Sequence, residues 1–180
     1  MTWLVMLISA VGAALLQNLL PGPAWLGHSK WPLLLGVVLY YALQRERSVM
    51  WLAALVAGTL QDALSAVPLG TSAVCFMVVG WVSSRFRSLV LSEALVTQSF
   101  FGMASALGVG VMLYVLAWRP SASAPALGAM LLAVAGLTIE AALCTPVVFH
   151  VVGGLDRRVG NIHAAKEVEG VDGDLDGFAE

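Results

Sequence analysis

Apolar positions in this chain fall into six long runs, with neither the alternation of strands nor the single stripe of a surface helix. The first goes from Trp3 to Leu20 and stops at Pro21-Gly22-Pro23, where missing N–H donors and a glycine end a helix. Pro32 to Gln44 is a short second run, Ser48 to Ala66 the third and Thr71 to Ser84 the fourth. A fifth runs from about Ser92 to Trp118 and ends at Arg119-Pro120. The sixth extends from Ala126 to about Val152, before Gly153-Gly154 and Asp156-Arg157-Arg158. A spanning helix needs ~20 apolar residues, so the pattern predicts an all-α integral membrane protein, a six-helix transmembrane bundle over residues 1–158. The second run gives only ~20 Å of helix against a hydrocarbon core of ~30 Å, which leaves a rival of five helices plus a re-entrant segment. The first run lacks the basic leader of a secretory signal and reads as a retained helix.

Composition agrees: 59% hydrophobic and 11% charged residues, with a mean hydropathy of +0.89, leave too little polar surface for a soluble domain. The net charge of -2 conceals a split, because residues 1–158 hold eight Lys and Arg against five acids, and residues 159–180 hold one Lys against six acids. Those last residues read as an acidic, Gly-rich, disordered tail. Basic loops stay cytoplasmic, so six helices with the N-terminus inside put Arg45, Arg47, Arg85, Arg87, Arg157, Arg158 and Lys166 in the cytoplasm and leave Lys30 and Arg119 outside. Five helices with the N-terminus outside would leave Arg119 alone there. Both arrangements put the turn from Val67 to Gly70 outside.

Against this background Asp62 stands out, because an ionisable group at membrane depth costs about 2.5 to 3.5 kcal/mol on insertion scales and is normally buried against a partner. Counting ~1.5 Å per residue places Gln17, Asn18, Gln61 and Asp62 at one level near the outer side. Small-residue stripes lead to that level on both helices, Ala10-Ala14-Asn18 on the first and Ala54-Gly58-Asp62 on the third, and such stripes let backbones approach. Helices 1 and 3 are therefore expected to be neighbours, with Asp62 hydrogen-bonded to Asn18 or Gln17. The same counting puts Glu140 of helix 6 and Gln98 of helix 5 at a second level, ~9 Å above the inner face, where either the amide stabilises the acid or desolvation keeps the acid protonated. Gly102, Ala106 and Gly110 give helix 5 a packing face, read first as internal to the bundle and alternatively as a contact for a partner's transmembrane helix.

Catalytic constellations are thin. Cys75 and Cys144 fall near opposite faces of the bilayer, and His28, His150 and His163 are scattered without metal-ligand spacing. No phosphate-binding loop ending in Lys-Ser/Thr occurs. Asp172-Gly173-Asp174-Leu175-Asp176-Gly177 matches half of a calcium loop and lacks its closing glutamate. No cofactor, metal or nucleic-acid partner is expected. One lone acid per level argues against a paired-carboxylate enzyme.

The residues do resemble a family. Gln17-Asn18 at the end of the first helix, Lys30-Trp31-Pro32 before a Leu-rich run, and Gly58-Thr-Leu-Gln-Asp62-Ala-Leu-Ser-Ala-Val-Pro68-Leu69-Gly70 with Gly80 beyond resemble the bacterial rod shape-determining protein MreD family, over about residues 12–118. The resemblance implies a non-enzymatic scaffold of the cell-elongation (rod) complex in the cytoplasmic membrane. Its partners would be an MreC-like bitopic protein, with MreB, RodA and penicillin-binding protein 2 nearby, and its work would support cell shape and peptidoglycan synthesis. On this reading the Pro68-Leu69-Gly70 turn and lipid-facing helices contact MreC. The alternative, also implied by likeness, is a substrate-binding subunit of an energy-coupling vitamin transporter, whose polar pocket would be open to the outside.

Overall fold

The computed structural model describes residues 2–20, 31–65, 68–86, 95–117 and 127–159. Among them are six helices and no strand: α1 (Thr2–Leu19), α2 (Leu33–Gln44), α3 (Arg47–Ala63), α4 (Thr71–Arg85), α5 (Leu95–Ala117) and α6 (Leu127–Arg158). Thr2–Leu19, Leu95–Leu116 and Leu131–Arg158 are each long and apolar enough to cross a membrane. Large apolar side chains such as Leu4, Ile8, Leu15, Val96, Phe100 and Val115 are exposed along α1 and α5. That surface suits lipid and would drive aggregation in water. The acidic tail, its half calcium loop, Lys30, Arg87 and Arg119 lie outside the described residues.

The shortest helix is the centre. Every residue from Leu33 to Leu43 is buried, and α2 packs against all five other helices. A helix apolar all round has no face to give to water, so its 12 residues, ~18 Å of helix, are wrapped by their neighbours. Gly36 lies against Val148 and Tyr40 against Gly153, so α2 and α6 run parallel. At its far end α2 reaches Asp156 through Arg45. These contacts lay α2 alongside the part of α6 from about Val148 to Asp156.

Predicted boundaries agree to within a few residues except for α6, which continues through Gly153-Gly154 to Arg158. Glycine weakens a helix interior by about 1 kcal/mol and does not end it when neighbours hold the turn. Here the Tyr40 ring lies over Gly153, and Asp156 on the next turn is drawn to Arg45. Pro146 also sits inside α6; proline is tolerated in membrane helices because neighbouring groups take up the freed carbonyl.

Small residues set the closest helix contacts. A Cβ on Gly58 would overlap the backbone of Ala73, reaching within 2.6 Å of its nitrogen, so α3 and α4 touch backbone to backbone. Gly102 faces Ala141 and Thr145, Gly110 faces Val134 and Leu137, and Ala106 is fully buried. The Gly102-Ala106-Gly110 face is thus spent on α6, the internal packing expected first. Helices α1 and α3 are neighbours as expected, with Ala10 and Ala14 buried. The Gly58-Asp62 stripe, however, faces α4 rather than α1.

Gly58→Ala should lower the thermal unfolding midpoint in nanodiscs, since overpacking costs about 1–3 kcal/mol. Gly12→Ala, where an added Cβ meets nothing within 4 Å, should leave the midpoint unchanged or slightly higher. Equal midpoints for Gly58→Ala and the parent would refute the close α3–α4 contact.

Candidate functional site at the capped end of the bundle

Helix α4 starts below the length of a full span, with 15 residues or ~22 Å, and its first N–H groups need acceptors that a bilayer does not supply. The residue at the cap position is Gly70, which has no side chain and sits at φ +99°, a left-handed conformation that strains L side chains. The missing cap oxygen comes from the preceding helix. Asp62, only 2% exposed, accepts the Gly70 N–H on Oδ2 at 2.7 Å and the Ser72 N–H on Oδ1 at 3.0 Å. Pro68 closes the other side of the turn, its carbonyl accepting the Thr71 hydroxyl at 2.8 Å and the Thr71 N–H at 3.3 Å. Leu69, 78% exposed, projects from the turn that these bonds hold.

This arrangement explains the spacing of the motif. Gly58 lets α4 approach, Asp62 one turn later meets the start of α4, and Gly70 supplies the backbone conformation that aims its N–H at the carboxylate. Hydrogen bonds to a charged group contribute ~1.5–3 kcal/mol each, and the positive end of a helix favours a carboxylate by up to ~2 kcal/mol. Together these offset the few kcal/mol that an acid at membrane depth costs. The expected bond from Asp62 to Gln17 or Asn18 does not form. All four residues do lie toward one end, but the backbone donors of α4, two of them reached by a single carboxylate, outcompete a side-chain amide.

Gln17 performs the corresponding task for α2. It is 3% exposed, its Nε2 donates to Gln61 Oε1 at 2.8 Å, and its Oε1 accepts the Leu34 N–H at 3.4 Å. Asn18 is exposed and takes no part. Gln17, Gln61 and Ser72, with Pro32, Leu35, Phe76, Val109, Leu113 and Leu137, line a cleft of about 70 Å³.

Glu140 is 2% exposed on α6, one helical turn from the cleft residue Leu137, so it belongs near the capped end. Its expected depth is counted inward from the start of the helix near Ala126 across a ~30 Å core, and α6, with 32 residues or ~48 Å, is longer than that core. Since Gly102 faces Ala141 and Thr145 and Gly110 faces Val134, the antiparallel register puts buried Ser105 opposite Glu140 and half-buried Gln98 about two turns further along.

At the opposite end lies a cluster that the sequence did not signal. Asp156, completely buried, accepts hydrogen bonds from Tyr40 Oη at 3.1 Å and Arg45 Nε at 3.1 Å, and pairs with the Arg45 Nη2. The Tyr40 ring stands edge-on to Phe149 and Tyr41. Partners 111 residues apart leave no local spacing to read, and Asp156 in a boundary triplet with two arginines looks like a solvated end. Cys75 and Cys144 are buried free thiols, His150 is exposed on α6, and no three metal-ligating side chains gather among the described residues.

A polytopic helical membrane protein is thereby defined, one whose buried polar side chains at the capped end complete its own helix ends. The chain belongs to the rod shape-determining protein MreD family, whose model matches residues 1–139, and a role in rod shape determination follows from that membership. No curated protein and no solved structure gives a significant match. The match includes Gly58, Asp62, the Pro68-Leu69-Gly70 turn, and Arg45, and stops before Asp156.

Two outcomes check this geometry. Asp62→Leu should speed hydrogen exchange at Gly70 and Ser72, with a loss of about 0.5–2 kcal/mol or more as for a removed cap, while Asp62→Asn, which keeps one acceptor oxygen, should lie between. Asp156→Arg should destabilise by about 3–5 kcal/mol in thermal unfolding, and adding Arg45→Asp should restore part of that.

Proposed function

We propose that the protein is a non-catalytic scaffold subunit of the cell-elongation complex in the bacterial cytoplasmic membrane, holding an MreC-like bitopic protein at its capped end. Family membership supports the setting. The observation that carries the role is the pinned turn: a buried carboxylate, committed on both oxygens to backbone donors, fixes an exposed Leu69 flanked by Pro68 and Gly70. Those commitments leave Asp62 with the chemistry of a cap rather than of a general base. A rigid apolar knob on a preorganised turn is what a partner helix or strand can engage without paying to order it. The capped end then faces outward and the arginine end the cytoplasm, near MreB, with RodA and penicillin-binding protein 2 in the same assembly. This assembly is the route by which the protein would support peptidoglycan synthesis.

The transporter alternative calls for a solute pocket, and pockets for such ligands run to about 300–1,000 Å³. The cleft beside Gln17 and Gln61, at about 70 Å³, is several times too small for a vitamin.

Capture of the tagged protein from membranes should recover MreC in proportion to the integrity of the turn. Leu69→Asp and Asp62→Leu should each reduce recovery several-fold, and Asp62→Asn should retain most of it. Undiminished MreC with both severe variants would sink the role of the turn, and a stoichiometric co-purified small molecule would turn the reading toward transport.

A further inference from the structure

Every exposed charged residue among those described lies at one end of the bundle: Glu46, Arg47, Arg85, Arg157 and Arg158. Gly80 of α4 lies beside Met50 of α3, so Arg85 and Arg47, each within two turns of that contact, emerge at a common level. The Arg45–Asp156 pair brings the end of α6 to the same level. The acid that would most directly neutralise this rim is withdrawn from it, since Asp156 is fully buried against Arg45 and Tyr40. Arg85 leans over the half-exposed Trp81 ring, 5.2 Å from its centroid, which leaves the guanidinium at the edge of the bundle.

From this same end, directly after Arg158 and Val159, the chain continues for 21 residues that carry six acids and one lysine, a net charge of -5. At ~3.3–3.6 Å per residue such a segment reaches up to ~70 Å, more than twice the ~30 Å across three packed helices. Tethering gives it an effective concentration in the millimolar range at the rim. Anionic headgroups repel it, so the arginines are the favourable surface within its reach.

We propose that the acidic segment 160–180 docks electrostatically on the arginine rim formed by Arg47, Arg85 and Arg158, and so competes with anionic lipid for those guanidinium groups. The contact is intramolecular and independent of which way the bundle faces.

The test uses the full chain in nanodiscs of neutral phosphatidylcholine, with the photo-cross-linker benzoylphenylalanine in place of Leu175 and cross-links mapped by mass spectrometry. Cross-links to the ends of α3, α4 and α6 are expected. Their yield should fall at least three-fold in 0.5 M salt, in nanodiscs containing phosphatidylglycerol, and in an Arg47→Gln, Arg85→Gln, Arg158→Gln variant. Because losing arginines can disturb insertion, a second variant with Asp172→Asn, Asp174→Asn and Asp176→Asn leaves the membrane part intact and should show the same fall. Cross-links confined to lipid, or a yield indifferent to salt and to the tail substitutions, would overturn the proposal.

Discussion

Helix beginnings inside a membrane must find acceptors within the protein, and the bond from Asp62 to the start of α4 is where this chain meets that demand most directly. A conventional cap is local, a Ser or Asp one residue before the helix. Here the cap oxygen belongs to the previous helix, so a single carboxylate joins the end of α3, the turn and the beginning of α4 into one unit. The Gly58–Ala73 contact and the left-handed Gly70 make sense only together with that bond. Gln17 repeats the solution on a smaller scale at α2, and its bond to Gln61 links the two caps through α1 and α3.

Polar residues elsewhere are handled by a different device. Ser9, Thr59, Ser84, Thr138 and Thr145 each return a hydroxyl hydrogen bond to a carbonyl three or four residues back in their own helix. These hydroxyls thereby satisfy their donor within their own helix, as is common for hydroxyls in helices. The long amides and acids are the ones that cross between helices. The distinction is one of reach, because an amide or carboxylate on a longer stem leaves its own helix and a hydroxyl on Cβ does not.

Six runs of apolar residues made the helices legible, because bilayer thickness imposes a length that periodicity alone would not. The prominence of Asp62 was legible for the same reason: a charge in apolar surroundings is anomalous whatever it does. Its partner was not, since depth arithmetic ranks side chains by level and is blind to backbone donors, which every residue carries and no sequence displays. The end of α6 was misread because Gly153-Gly154 resembles a stop until Tyr40 is seen lying over it. Asp156 escaped for a related reason: its burial depends on a helix continuing where local propensity would end it, and on an arginine more than a hundred residues away.

The enclosure of α2 bears on how the chain enters the membrane. A segment of 12 helical residues is too short to be held across a bilayer by its own apolarity, and in the finished protein it meets neighbouring helices on every side. The burial of α2 therefore depends on neighbouring helices being in place around it. Its enclosure is completed by α6, the last of the described helices, whose Val148 and Asp156 cover Gly36 and anchor Arg45. A ribosome still synthesising α5 has behind it a bundle whose centre is in place without its final wall, and for that interval whatever shields α2 from the bilayer governs whether the protein assembles at all.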